Sequence, residues 1–208
     1  MTVAAFLDAA GYAGDVLVWP SLAAAWEHES ALPRMTVGAI AGHMFLVVRR
    51  VDKHLDEPDV VGTDATGPDY RWLRVDHEED LDRPEHRDVR AHGAHVASWG
   101  WPAVAAAYVD RVSKLRARLA VRRPRTVAVG TALMDFDAYL ATRIVELLVH
   151  ADDLAVSVSA SQSDMPADAA TIAIEVLVDA ARSIHGDLEI LRALTRSERV
   201  RPGIPSVY

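Results

Sequence analysis

The 208-residue chain contains no cysteine. That absence excludes disulfides, thiolate-ligated zinc or iron–sulfur centres, a catalytic thiol and redox pairs. A metal site here has only His, Asp and Glu to draw on, and chemistry that needs a thiolate must take its sulfur from a second molecule. Long apolar runs are missing too. The longest, such as residues 37–48, are interrupted by Gly or His and fall short of the roughly 20 residues of a spanning helix. The first 15 residues carry Asp8 and no basic segment, so they do not read as a signal peptide, and we expect a cytoplasmic protein with no membrane partner. Positive charge is also in deficit. With 22 Lys+Arg against 30 Asp+Glu the formal net charge is −8, which removes the overall positive field that attracts nucleic acid. No GxSxG elbow, phosphate-binding loop or GxGxxG turn occurs, so serine hydrolysis and phosphate-cradle chemistry have no local support.

What the chain does have is globular usage: 50% hydrophobic and 25% charged residues, with 10 prolines and 11 glycines, over a length that suits one domain spanning 1–208. Its periodicity is helical. Residues 3–27 are alanine-rich, with expected breaks near 11–15 and at Trp19-Pro20. Thr36 reads as the cap of a helix to about His54, and residues 60–90 read as a long polar crossover with a helix starting near Pro84. Pro102 suits the first turn of a helix ending before Arg122, Arg123 and Arg125, which we read as capping its C-terminal carbonyls. Residues 126–130 read as a short β segment or extended chain. The next helix begins near Asp135 or Asp137 and runs to about 158. A final one starts at Pro166, runs to about Arg196, and is followed by an irregular tail over about 197–208. The fold class expected is all-α, a helical bundle.

At 100° per residue, Tyr139, Arg143, Glu146, His150, Asp153 and Ser157 fall in one strip about 80° wide. Apolar residues cover almost all of the remaining circumference, with Asp152 the charged exception. A surface helix normally shows the opposite ratio. Two readings stay open: the strip faces the interior, or it is the solvent side, with Arg143 and Glu146 an ordinary i,i+3 pair. On the helix 36–54, His43 lies within an apolar stripe of Ala39, Ile40, Met44 and Val47, where a histidine is commonly a hydrogen-bonded core residue. Glu146 and His150 at i,i+4 put an oxygen and an imidazole on adjacent turns. A facing helix bearing His43 would complete a set of three ligands around a divalent metal, with an open position suited to catalysis. Asp153 is placed to hold the second ring nitrogen of His150 or to anchor the helix end, rather than to bind the metal. His86, His92 and His95 with Asp88, Glu27-His28-Glu29, and the acidic run 76–82 read as solvated surface.

Two segments carry a family resemblance. LPRMTVGAIAGHMFLVVRRV, with Trp26 shortly before it, resembles the Trp…TVxxLxxH opening of the DinB-like superfamily in its mycothiol-dependent maleylpyruvate isomerase branch. YLATRIVELLVHADDLAVSV is similar to that branch's R-xx-E-xxx-H-xx-DL motif, and LRALTRSER to its C-terminal helices. The resemblance implies a four-helix bundle with a long crossover whose metal ligands are His43, Glu146 and His150. Zinc is the usual ion, with nickel or another divalent ion the alternative. It further implies that mycothiol is the thiol cosubstrate, used for S-transfer to a small electrophile or for thiol-assisted isomerisation. Arg143 and Tyr139, one and two turns along from Glu146, are then our candidates for orienting either an anionic substrate or a second-shell ligand. Maleylpyruvate isomerase resembles a two-part protein, whereas this chain reads as the bundle alone. We therefore expect a mycothiol-dependent S-transferase more than the isomerase itself. The alternative is a non-catalytic DinB-like metal- or small-molecule-binding stress-response protein, and either is expected as a monomer or homodimer.

Overall fold

In the computed structural model, which describes residues 1–58, 81–129 and 132–195, the alanine-rich start folds as one helix, α1 (Thr2–Leu17). The break expected near 11–15 is absent. Gly14 is buried against Tyr108, whose Cε1 would lie 3.3 Å from a Cβ at that position, so this glycine admits a close neighbour rather than interrupting the helix. The break at Trp19-Pro20 is present: Pro20 has no amide to continue α1, and its fixed φ starts α2 (Pro20–Ala24) instead. Thr36 caps α3 (Val37–His54), its Oγ1 accepting the Ala39 amide at 3.1 Å. Helices α4 (Pro84–Ala97) and α5 (Trp101–Val121) each carry a proline in the first turn. The β segment is a strand of a small antiparallel hairpin, β1 (Thr126–Val129) with β2 (Ala132–Asp135), Val127 opposite Met134, leading directly into α6 (Phe136–Ser157).

The last helix expected from the sequence is two. Gly186, at φ +84°, separates α7 (Ala167–His185) from α8 (Asp187–Thr195). Only glycine adopts such a conformation without strain, so the chain turns there although the apolar periodicity runs on. Most of the long crossover and the irregular tail fall on residues 59–80 and 196–208, outside the described residues. The described chain is mostly helical with one two-stranded sheet, and none of its helices is long and apolar enough to cross a membrane.

Helix α6 is the hub, packing on α1, α3, α7 and the hairpin, while α3 packs on α4, α5 and α6. Phe6, Leu17, Ile40, Met44, Leu115, Ile144 and Leu147 are fully buried between them. Two of the buried aromatics place their polar atom on a carbonyl of a neighbouring helix: Tyr108 Oη donates to Ala10 O at 3.1 Å and Trp26 Nε1 to Ala97 O at 3.1 Å. The α3–α4 crossing is backbone against backbone. A Cβ on Gly42 would lie 2.2 Å from Gly93 O, and one on Gly93 would lie 2.5 Å from Ala39 O. At the far end of α3 the buried Asp52 carboxylate takes ion pairs from Arg111 and Arg118 of α5, the latter at 2.6 Å. Two cations compensate its desolvation and lock α3 to α5.

The α3–α4 crossing is testable. Gly42→Ala forces carbonyl and methyl into overlap and is expected to lower unfolding stability by about 1–3 kcal/mol or more. Gly11→Ala in α1, where nothing lies within 4 Å of the new methyl, is expected to be neutral or stabilising by about 0.5–1 kcal/mol. Denaturant midpoints of the two variants check this pair, and equal midpoints would remove the close crossing.

Candidate metal centre

The strip on α6 faces inward. Tyr139, Arg143, Glu146 and His150 are all buried, and the solvent side of the helix carries Asp152 and Val156. Helix α3 runs antiparallel to it: His43 meets Glu146 and His150, whereas His54, eleven residues on, lies against Tyr139 with ring centroids 5.0 Å apart. His43 Nε2 is 2.9 Å from Glu146 Oε2, and His150 Nε2 approaches the same oxygen at 3.3 Å. The two imidazoles meet edge to face, centroids 5.0 Å apart at 85°. One ligand atom from each of His43, Glu146 and His150 lies within 4.8 Å of the others, and all three residues are buried.

This donor set fits a divalent metal. With bonds of about 2.0–2.2 Å, neighbouring ligands of a tetrahedral zinc stand roughly 3.3–3.5 Å apart. The two contacts to Glu146 are already within a few tenths of an ångström of that spacing, and two imidazoles with one carboxylate suit zinc or nickel. Asp153 orients the outer ring: its Oδ2 is 2.9 Å from His150 Nδ1, which aims Nε2 at Glu146. Asp153 is itself anchored through its backbone. Ser157 Oγ donates to Asp153 O at 2.6 Å and accepts the Ala31 amide at 2.9 Å, which ties the segment before α3 to the end of α6.

Burial raises the Glu146 carboxyl, but hydrogen bonds from His150 and His43, with the charge of Arg143, outweigh it and hold the group well below the ordinary carboxylate range. His43 is lowered by burial, against its hydrogen bond to Glu146. Burial lowers His150 as well, yet its hydrogen bonds to the Asp153 and Glu146 carboxylates prevail and push it up to about 9. These directions favour a carboxylate at Glu146, a protonated His150 and a neutral His43 in the metal-free protein, so that binding of a metal would release the His150 proton.

Arg143 sits behind the ligands. Its Nη2 is 3.9 Å from Glu146 Oε1, its guanidinium lies 5.2 Å from the centroid of the Tyr139 ring, and Nε and Nη2 each donate to Thr142 Oγ1 at 3.2 Å. Thr142 in turn donates to Tyr139 O at 2.7 Å. Thr142 and His54 were not singled out from the sequence. Both left a signal: Thr142 lies about 20° outside the strip on the same wheel, and His54 lies about 20° from His43 on the wheel of α3. The other histidine cluster does not assemble. His92 and His95 are exposed on α4, with His92 Nδ1 2.7 Å from Asp88 O, and among the described residues His43, Glu146 and His150 form the one group with metal-ligand geometry. Glu27, His28 and Glu29 are exposed, and Arg123 Nε donates to Leu119 O at 3.1 Å, as a helix-end cap does.

Because the folded His150 titrates near 9, above its ordinary 6.5, its contribution to stability is complete below about pH 6.5 and is lost as pH rises through 9. His43, lowered, acts in the opposite sense and only below 6.5. Metal-stripped protein is therefore expected to lose melting temperature between pH 6.5 and 9, and Asp153→Asn to flatten that loss while costing about 10–100-fold in divalent-metal affinity. A wild-type melting curve independent of pH over this interval would contradict the charge assignment. Compared with known proteins, the chain matches no family model, no curated protein and no solved structure.

Proposed function

We propose that the protein is a DinB-like four-helix-bundle enzyme that uses a divalent metal and a low-molecular-weight thiol, mycothiol, for S-transfer to a small electrophile or for its thiol-assisted isomerisation. The observation that carries this reading is the buried convergence of His43, Glu146 and His150 on one point between α3 and α6. A divalent metal held by these three would supply Lewis acidity that lowers the pKa of a coordinating thiol into the neutral range.

The remaining work falls to the chain. Two neutral donors and one anion offset only part of a divalent charge, so an anionic sulfur is a favoured additional ligand. Asp153 keeps the His150 ring in the orientation that the site needs. The chain has no cysteine, so no protein thiol competes for the metal or traps the cosubstrate as a mixed disulfide. The apolar flanks of α3 and α6, including Met44, Val47, Leu147 and Ala151, are buried around the ligands and keep the surroundings dry, which strengthens electrostatic interactions there.

Elemental analysis of purified protein is expected to find one divalent ion per chain, lost in His43→Ala and in His150→Ala. Near-stoichiometric metal unaffected by both substitutions would end the proposal. Loaded protein incubated with mycothiol and a panel of electrophiles is then expected to form thioether products or isomerised alkene. Thiol binding without turnover across the panel would instead identify a non-catalytic binding protein.

A further inference from the structure

Helix α7 is apolar on more of its circumference than the fold covers. Ala169, Ala173, Val176 and Ala180 are buried on the side that packs on α6 and α1. Next to that face, Ala170, Ile174, Leu177, Ala181 and Ile184 recur at alternating spacings of four and three, the repeat of a helix seam that receives a second helix. The seam is left partly open: Ile174 is 61% exposed, and Ala170, Leu177 and Ile184 are only half-buried. Helix α8, joined to α7 through Gly186, adds Leu188, Leu191 and Leu194, all exposed, although Ile190 of the same helix is buried. Single apolar residues on a surface are ordinary, whereas a heptad-spaced row followed by three exposed leucines has the character of a contact surface.

The charges on the solvent flank of α7 select what fits there. Glu175 and Arg182 are two turns apart and within about 20° of each other around the helix. Among the described residues Glu175 has no cation of its own. Arg182 donates from Nε to Asp187 at 2.7 Å and from Nη1 to Asp179 at 3.2 Å, which leaves its Nη2 free among them. A parallel copy of α7 would set Glu175 against Glu175 and Arg182 against Arg182, which is repulsive. An antiparallel copy, with the two-fold axis beside residue 179, reverses this and brings Glu175 beside Arg182 of the second copy. The same register sets Ile174 opposite Ile184 of the second copy and Leu177 opposite its Ala181. Apolar and charged positions agree on one arrangement. An anionic lipid surface is a poor occupant, because Asp168, Glu175 and Asp179 share the flank and the chain carries a net charge of −8.

We infer that the outer face of α7, continued by α8, is the interface of an antiparallel homodimer, with each copy laying Ile174 against Ile184 of the other and pairing Glu175 with Arg182 across the two-fold axis. Burial of the seam supplies the attraction, and the two equivalent ion pairs fix direction and register. The interface lies on helices that carry none of the metal ligands, so it stands whether or not the metal centre uses a thiol.

Sedimentation velocity on the full-length chain is the test. The wild type is expected to pass from monomer to dimer across the micromolar range. Ile174→Glu, which places a charge on the seam at an exposed position, is expected to weaken association at least about tenfold while leaving the melting temperature of the dilute monomer unchanged. Glu175→Arg is expected to weaken it as well, and Glu175→Arg combined with Arg182→Glu to restore it. Because the chain has no cysteine, Val178→Cys supplies a unique thiol close to the two-fold axis. A short bismaleimide is expected to couple two copies of that variant and not of Asp164→Cys, which lies far from the axis. A wild type that stays monomeric up to about 1 mM overturns the interface, including the case in which only a different protein binds this face. Dimerisation unaffected by Ile174→Glu overturns it by placing the contact elsewhere. A double variant that fails to restore association overturns the antiparallel register. If Ile174→Glu does not fold, coupling through Val178→Cys decides, and its absence counts against the interface.

Discussion

A carboxylate buried in the middle of a helical protein is the constraint from which the rest of this structure follows. Glu146 cannot remain charged in that position unless its desolvation is offset, and each neighbour does part of that work: the His43 and His150 nitrogens at its Oε2 and the Arg143 guanidinium on the side of Oε1. Supplying His43 requires α3 to lie antiparallel along α6 in one register. That register is secured from the other side of α3, where Gly42, next in sequence to His43, lets the backbone of α4 approach within what would be methyl distance. At the far end of α3 the Asp52 ion pairs with α5 hold the same helix lengthwise. The elements that appear purely structural are thus also the ones that place a ligand.

The inward strip of α6 reverses the usual division of labour on a helix. Apolar flanks at Leu140, Ile144, Leu147, Leu148 and Ala151 surround a polar seam, so the helix is buried on most of its circumference and only the Asp152 and Val156 side meets solvent. Hydrophobic burial on both sides stabilises the helix against the cost of enclosing four polar side chains. The seam is graded along its length. The end near Ser157 is tied to the chain before α3, the middle gathers the metal-ligand atoms, and the end near Tyr139 presents a cation and an unpaired hydroxyl.

Much of this was legible from residue order. Thr36 before an apolar run, the prolines at 20, 84 and 102, and the 3.6-residue recurrence on α6 each report local backbone requirements, and local requirements are written in neighbouring residues. Glycines were harder to read. Gly14 and Gly186 look alike in sequence, yet the first serves a packed crossing with Tyr108 within an unbroken helix and the second a left-handed turn that ends one. A missing side chain says that something needs room or a positive φ, and only the neighbours say which.

The sequence by itself determined the inventory: no thiol, a histidine in an apolar stripe, and a strip holding Glu146 and His150 at the spacing of adjacent helical turns. A helical wheel is symmetric with respect to inside and outside, so the inventory left open whether that strip met water or the core. Tertiary structure decided the side, because burial depends on which helices cover which faces. It also decided the pairing of His43 with residues about a hundred positions away, since that contact is set by the antiparallel register of α3 on α6. The isolation of the Tyr139 hydroxyl is likewise a property of packing, visible only once every neighbouring acceptor has been placed.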